Sequence, residues 1–165
     1  MYTATTQTVL LLRTDDITRL TAISGNVDID AIVPFIYVAQ KNEIKRILGS
    51  ELYNKILTDY DNNTLSGEYE FIYSEFIVDM LSYFSAAYFV TFSPYKITNA
   101  GIYRSVPENS DSVGIEEIDS VIKNYKYLAN NIELLFVEYM KNITIPEYTS
   151  CDDNNSNYGF DWVLD

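Results

Sequence analysis

Apolar positions are densest between Glu68 and Phe92, where the chain reads EYEFIYSEFIVDMLSYFSAAYFVTF. Phe71, Ile72, Phe76, Ile77, Met80, Leu81, Phe84, Ala87, Tyr88 and Val90 leave almost no polar face on a helical projection. A helix that is apolar all round is a buried one, so this stretch predicts the central helix. Its charges, Glu68, Glu70, Glu75 and Asp79, lie in the first half, where the first two suit the positive end of the helix dipole. Ser93-Pro94 predicts its end, because proline breaks the ladder and disfavours helix in the residue before it. A membrane span is the rival reading. The charge-free run from Met80 up to Lys96 contains serines, a threonine and a proline. A span needs roughly 20 mainly apolar residues, so a core helix is the expectation.

Upstream, Val9-Leu10-Leu11-Leu12 follows a Thr-rich start and is too short to show a period. Residues 1–13 read as an N-terminal arm free to lie along a neighbour. Thr14-Asp15-Asp16 predicts a short helix, with Thr14 as cap and Ile17 and Leu20 as its apolar pair, punctuated by Ser24-Gly25-Asn26. Asp28 or Asp30 caps the next helix, with Pro34 near its start. Ile32, Val33, Ile36, Gln40, Ile44 and Ile47 share one face. Gly49 predicts its end, and Ser50 starts a second helix to about Tyr60 that buries Leu52, Ile56 and Leu57.

Downstream, Pro94 to Gly114 has no helical period. Lys96 to Arg104 reads as a small hairpin turning at Asn99 to Gly101. Ile115 to about Lys141 predicts a long helix with a heptad seam of Ile118, Ile122, Tyr125, Ala129, Ile132, Phe136 and Tyr139. Packing of that seam within the chain is expected over a dimeric coiled coil. Ile145-Pro146 ends the folded part. The acidic tail, 149–165, closes with Tyr158, Phe160 and Trp162, which either dock on a partner or fold back. The expectation is an all-α, single-domain helical bundle of about four main helices, with a long irregular loop, a small hairpin and extended termini. Residues 14–148 form the domain.

Composition supports a folded core. Hydrophobic residues make up 47% of the 165 residues, and 15 Tyr and 8 Phe exceed what a disordered chain carries. The single cysteine, Cys151, has no partner for an internal disulfide. A net charge of −13 opposes gripping a phosphate backbone or an anionic membrane, so neither a membrane nor specific nucleic-acid binding is expected. The absence of histidine removes the commonest general base and metal ligand, and with them any Ser-His or Cys-His nucleophile. A basic n-region before Val9 is missing, so no signal peptide is read.

Candidate chemistry is sparse. Asp59, Asp61, Asn63 and Glu70 fall at calcium-loop spacing, but Thr64 stands where the sharp turn needs glycine, and Gly67 comes three places late. A polar interhelical loop is the simpler reading. The adjacent acids Asp15/Asp16, Glu116/Glu117 and Asp152/Asp153 read as helix-start or tail residues, not as a carboxylate pair across a cleft. No phosphate loop, nucleophile elbow or cysteine pair occurs. Neither an enzyme nor a cofactor is expected.

The run IVPFIYVAQKNEIKRILGSELYNKI, through Pro34, Ile36, Ala39-Gln40, Ile44, Leu48-Gly49 and Leu52-Tyr53, resembles the first helix pair of head–tail connector (neck adaptor) proteins of tailed bacteriophages. Gly101 in the loop, then Tyr125, Ala129, Tyr139 and Pro146, extend the similarity over roughly residues 15 to 148. Within that family the chain looks most like connectors of crAss-like phages of gut Bacteroidales. The resemblance implies an all-helical subunit of a homo-oligomeric ring, twelve-fold, beneath the portal. Such a ring extends the DNA channel without specific DNA binding and joins capsid to neck and tail proteins. It implies a virion protein made in the host cytoplasm. Its interface candidates are Pro94, Ile97, Ile102, Tyr103 and Arg104 in the loop, and Tyr158, Phe160 and Trp162 in the tail. The alternative is a monomeric helical adaptor or regulator that binds a protein partner.

Overall fold

The computed structural model describes residues 9–23, 27–98, 101–104 and 114–148. Ser24-Gly25-Asn26, the hairpin turn at Asn99-Ala100, residues 105–113 and the tail 149–165 lie outside them, as do residues 1–8 of the expected arm.

The helices follow the hydrophobic pattern. Helix α1 spans Thr14–Leu20. Arg13 rather than Thr14 holds its cap position, and Thr14 is the first helical residue. Helix α2, Ile29–Ala39, is capped by Asp28, whose carboxylate accepts the Asp30 N–H at 3.1 Å. Pro34 sits deeper than expected, in the second turn, where its missing N–H leaves the Asp30 carbonyl without its helical donor. The chain then passes through a π turn, Gln40–Ile44, into α3, Lys45–Asp61.

Gly49 breaks the path of α3. Its φ of 76° and ψ of 164° lie in a region open essentially to glycine alone, so two helical halves meet there at an angle. A Cβ added at Gly49 would meet nothing within 4 Å. Gly49→Ala therefore isolates the backbone cost, expected at roughly 1–3 kcal/mol and read as a lower urea midpoint. An unchanged midpoint would mean that this kink is not held in the folded state.

The central helix is a composite of α4 (Gly67–Ile72), a second π turn (Tyr73–Ile77) and α5 (Val78–Phe92). It ends at Phe92, just before Ser93-Pro94. Burial is complete at Ile72, Ile77, Met80, Leu81, Ser82, Ser85 and Ala86, whereas Phe71 and Phe92 stay exposed towards its ends. Strands β1 (Tyr95–Thr98) and β2 (Gly101–Arg104) form an antiparallel hairpin with Ile97 opposite Ile102. The strands pair with each other and make no extensive contact with the helices. Helix α6, Ile115–Met140, closes the bundle, and the Glu117 carboxylate accepts the Gly114 N–H at its start.

Helix α5 is the hub, with α6 along one flank and α2 and α1 along others. The small residues Ser82, Ser85, Ala86 and Ala129 are fully buried there. Ser82 returns its hydroxyl to the Val78 carbonyl at 2.7 Å. The Ser85 hydroxyl has no hydrogen-bond partner among the described residues. The architecture is the single-domain helical bundle that the pattern predicts, and no helix among the described residues is long and apolar enough to cross a membrane.

The core starts earlier than the expected boundary at Thr14. Leu11 and Leu12 are buried in it. Gln40, fully buried in the first π turn, accepts the Leu11 N–H at 2.8 Å and donates to the Val9 carbonyl and the Tyr53 hydroxyl, each at 3.0 Å. One side-chain amide thus does for this extended segment what a neighbouring strand does in a sheet. Tyr73 adds a hydrogen bond from its hydroxyl to the Leu11 carbonyl.

Candidate interaction surface

Helix α6 presents two different faces. The inner seam packs as the heptad predicts: Tyr125, Ala129 and Phe136 are buried, with Ile122, Ile132 and Tyr139 partly so. The Phe136 ring meets Phe76 edge-on at 5.7 Å and Tyr148 at 5.6 Å. Tyr139 donates to Glu68, and Tyr69 to Glu147 at 2.7 Å, so the end of α6 and the segment after it are tied to α4. On a third side Arg46 forks onto Glu133 with both nitrogens, at 3.0 and 3.1 Å. Tyr88 donates to Glu43 at 2.9 Å beside it. Glu133 raises the Arg46 pKa, and the guanidinium remains half exposed, so the fork adds little stability.

The outer face of α6 is apolar too, and the sequence reading passed over it. Val121, Leu128 and Leu135 recur every seven residues, as do Tyr127 and Leu134. Their exposures of 41%, 41%, 56%, 65% and 68% leave them open to solvent. Ser120, Asn124 and Asn131 complete a strip of the helix that carries no charge from Ser120 to Leu135 and is flanked by Lys123. The signal was a second set of positions on the same seven-residue repeat, offset from the first.

The hairpin carries Ile97, Ile102, Tyr103 and Arg104, and Pro94 stands half-buried where α5 gives way to it. At the end of α5, Phe35 of α2 stacks on Phe92 at 5.8 Å and meets Phe89 edge-on at 5.8 Å. The structure therefore gathers the loop candidates on one hairpin. Tyr158, Phe160 and Trp162 lie outside the described residues.

The calcium spacing does not produce a calcium loop. Asp59 and Asp61 still belong to α3, where residues two apart point roughly 200° from each other. Asp59 is taken by Lys55 at 2.6 Å. Asp61, Asn63 and Glu70 do line one cleft of about 540 Å³, but Arg13 stands among them with Tyr60 and Tyr73. No group of three or more acidic, histidine or cysteine side chains among the described residues is placed to share a metal ion.

One carboxylate is held against its charge. Burial, followed by Glu75 and Asp16, raises the Asp79 pKa, and Arg19 only partly offsets this. A carboxyl whose folded pKa is raised favours the fold below its unfolded pKa and loses that contribution as pH rises through the folded value. Asp79→Asn is expected to raise the melting temperature at neutral pH, with the gain fading as pH falls through the carboxylate range. A gain of equal size at acid pH would assign the effect to something other than charge.

The comparisons fall on the same helices. Residues 44–158 match the model of a family of unknown function, DUF6712. No curated protein and no solved structure matches the chain. The match runs from the last residue of the first π turn through the kinked α3, the central helix, the hairpin and α6, which is well over half of the sequence, and so the chain belongs to the DUF6712 family.

Proposed function

We propose that this chain is a non-enzymatic structural subunit of a bacteriophage neck, a head–tail connector that assembles as a ring beneath the portal, extends the DNA channel and joins capsid to tail. The observation that carries the reading is the resemblance of the Pro34 to Tyr53 block. Most of the residues that bear it have structural work here: Ile36, Ala39, Ile44, Leu48, Leu52 and Tyr53 are core, Gln40 clamps the N-terminal segment, and Gly49 makes the kink. A helical body with a hairpin that makes no extensive contact with it suits a subunit that must grip neighbours. The net charge of −13 suits a wall past which DNA slides without adhering.

The test is a mass-spectrometric copy count of the chain in purified virus particles from its source culture. About one copy per portal subunit supports the connector, and the hairpin residues Ile97, Ile102, Tyr103 and Arg104 then become the first to mutate. Absence from intact particles leaves a monomeric helical adaptor as the better account.

A further inference from the structure

We propose that the outer face of α6 docks onto the same face of a second copy of this chain, with the two helices antiparallel about a two-fold axis between Tyr127 and Leu128. The sequence order of the face is what points to a second copy. Counting outward from that axis sets Tyr127 against Leu128, Asn124 against Asn131 and Val121 against Leu134. Large apolar side chains meet apolar side chains except at the ends of the face, where Ser120 meets Leu135. Each asparagine amide meets another amide, which both donates and accepts, so the polar pair is satisfied without any charge. Sliding by one turn sets Asn124 against Leu135 or Tyr127 and leaves polar groups unpaired, and sliding by a whole heptad keeps an amide pair but carries Val121 or Leu134 past the end of the face, so both alternatives are disfavoured.

Charge favours the same occupant. Two copies at −13 each repel, and they approach best through a face free of charge. The strip of α6 from Ser120 to Leu135 is such a face, with Lys123 at its edge. At its ends the register brings Glu117 opposite Glu138. Glu117 is turned onto the Gly114 N–H, and the remaining repulsion is screened by salt. Area sets the strength. The exposed parts of Val121, Tyr127, Leu128, Leu134 and Leu135 amount to roughly 500 Å² per copy, in the upper part of what monomers leave uncovered and below the roughly 800 Å² per partner of a standard interface. The complex is therefore reversible. The inner seam already fixes α6 on α5, so docking need not order the helix.

The experiment is sedimentation equilibrium of the full chain over a concentration series at low and high salt. The expected result is a reversible dimer that tightens as salt rises. Leu134→Glu is expected to weaken it by about thirtyfold, the effect of one hot-spot side chain, with an unchanged far-UV spectrum because Leu134 is exposed in the single copy. Register is read by disulfide cross-linking in a Cys151→Ser background. A mixture of Asn124→Cys and Asn131→Cys chains should cross-link, and neither alone should. A monomer under all conditions overturns the proposal, and so does cross-linking by Asn124→Cys alone, which requires parallel helices or a two-fold axis at Asn124. A monomer whose Trp162 emission shifts on Leu134→Glu gives the face to the chain's own tail and overturns it too. None of these outcomes alters the copy count in virus particles, so this inference and the connector reading fail separately.

Discussion

Phe136→Ala is expected to destabilise the fold by about 3–5 kcal/mol, the usual cost of removing a buried aromatic ring and leaving a cavity. Phe136 is fully buried and is the point where three parts of the chain meet. Its ring touches Phe76 in the second π turn on one side and Tyr148, beyond the end of α6, on the other. Phe76 in turn packs on Tyr139 and Phe71. Removing the ring frees the C-terminal half of α6 from the central helix and loosens the segment around Ile145. Urea unfolding should show a lower midpoint with an unchanged slope. Leu135→Ala, one residue away on the outer face, is the control and, at concentrations where the chain is a single copy, should move stability by no more than about 0.5 kcal/mol. Equal losses for the two would contradict the assignment of inner and outer faces.

Gln40→Leu should cost about 2–4 kcal/mol, although it replaces a polar side chain with an apolar one of similar size in the core. The reason is what the amide leaves behind. The Leu11 N–H and the Tyr53 hydroxyl lose their buried partner, and each stranded group costs about 1–3 kcal/mol. The N-terminal segment feels it first. Hydrogen exchange at the Leu11 amide should rise well beyond what the global loss of stability explains. Persistent protection of that amide in the variant would show that the segment is held by Leu11 and Leu12 burial and not by the clamp.

The legible parts of this fold are those where a period is long enough to declare itself. The inner seam of α6 ran for several heptads and emerged with Tyr125, Ala129 and Phe136 buried, because a stripe of that length has few ways to be satisfied. Gly49 was legible because only glycine fits its backbone, and the hairpin because Asn99-Ala100-Gly101 stands between short β-prone runs. Val9 to Leu12 was not legible as core. Four apolar residues have no period, and their place is decided by Gln40, a partner 29 residues away from Leu11. Gln40 itself appeared only as one member of an apolar face. The spacing of the Asp59 window has no counterpart in space for a local reason: α3 continues to Asp61, so acids that would converge from a loop diverge around a helix. The hairpin residues lie together, whereas the outer face of α6 was hidden by the seam that shares its repeat.

The two π turns have a consequence for the length of the chain. Each widens a helix by a single extra residue while the flanking α segments keep their relative phase. Tyr73–Ile77 is therefore a place where the protein can shorten. Deleting Glu75, which is exposed, restores an ordinary α turn and leaves Ile72 and Met80 facing inward as before. Deleting Tyr83 instead would turn everything beyond it by about 100°, swinging Phe84 and Ala87 out of the core. Thermal melts of the two single deletions would separate a residue that the helix can spare from one that sets its phase.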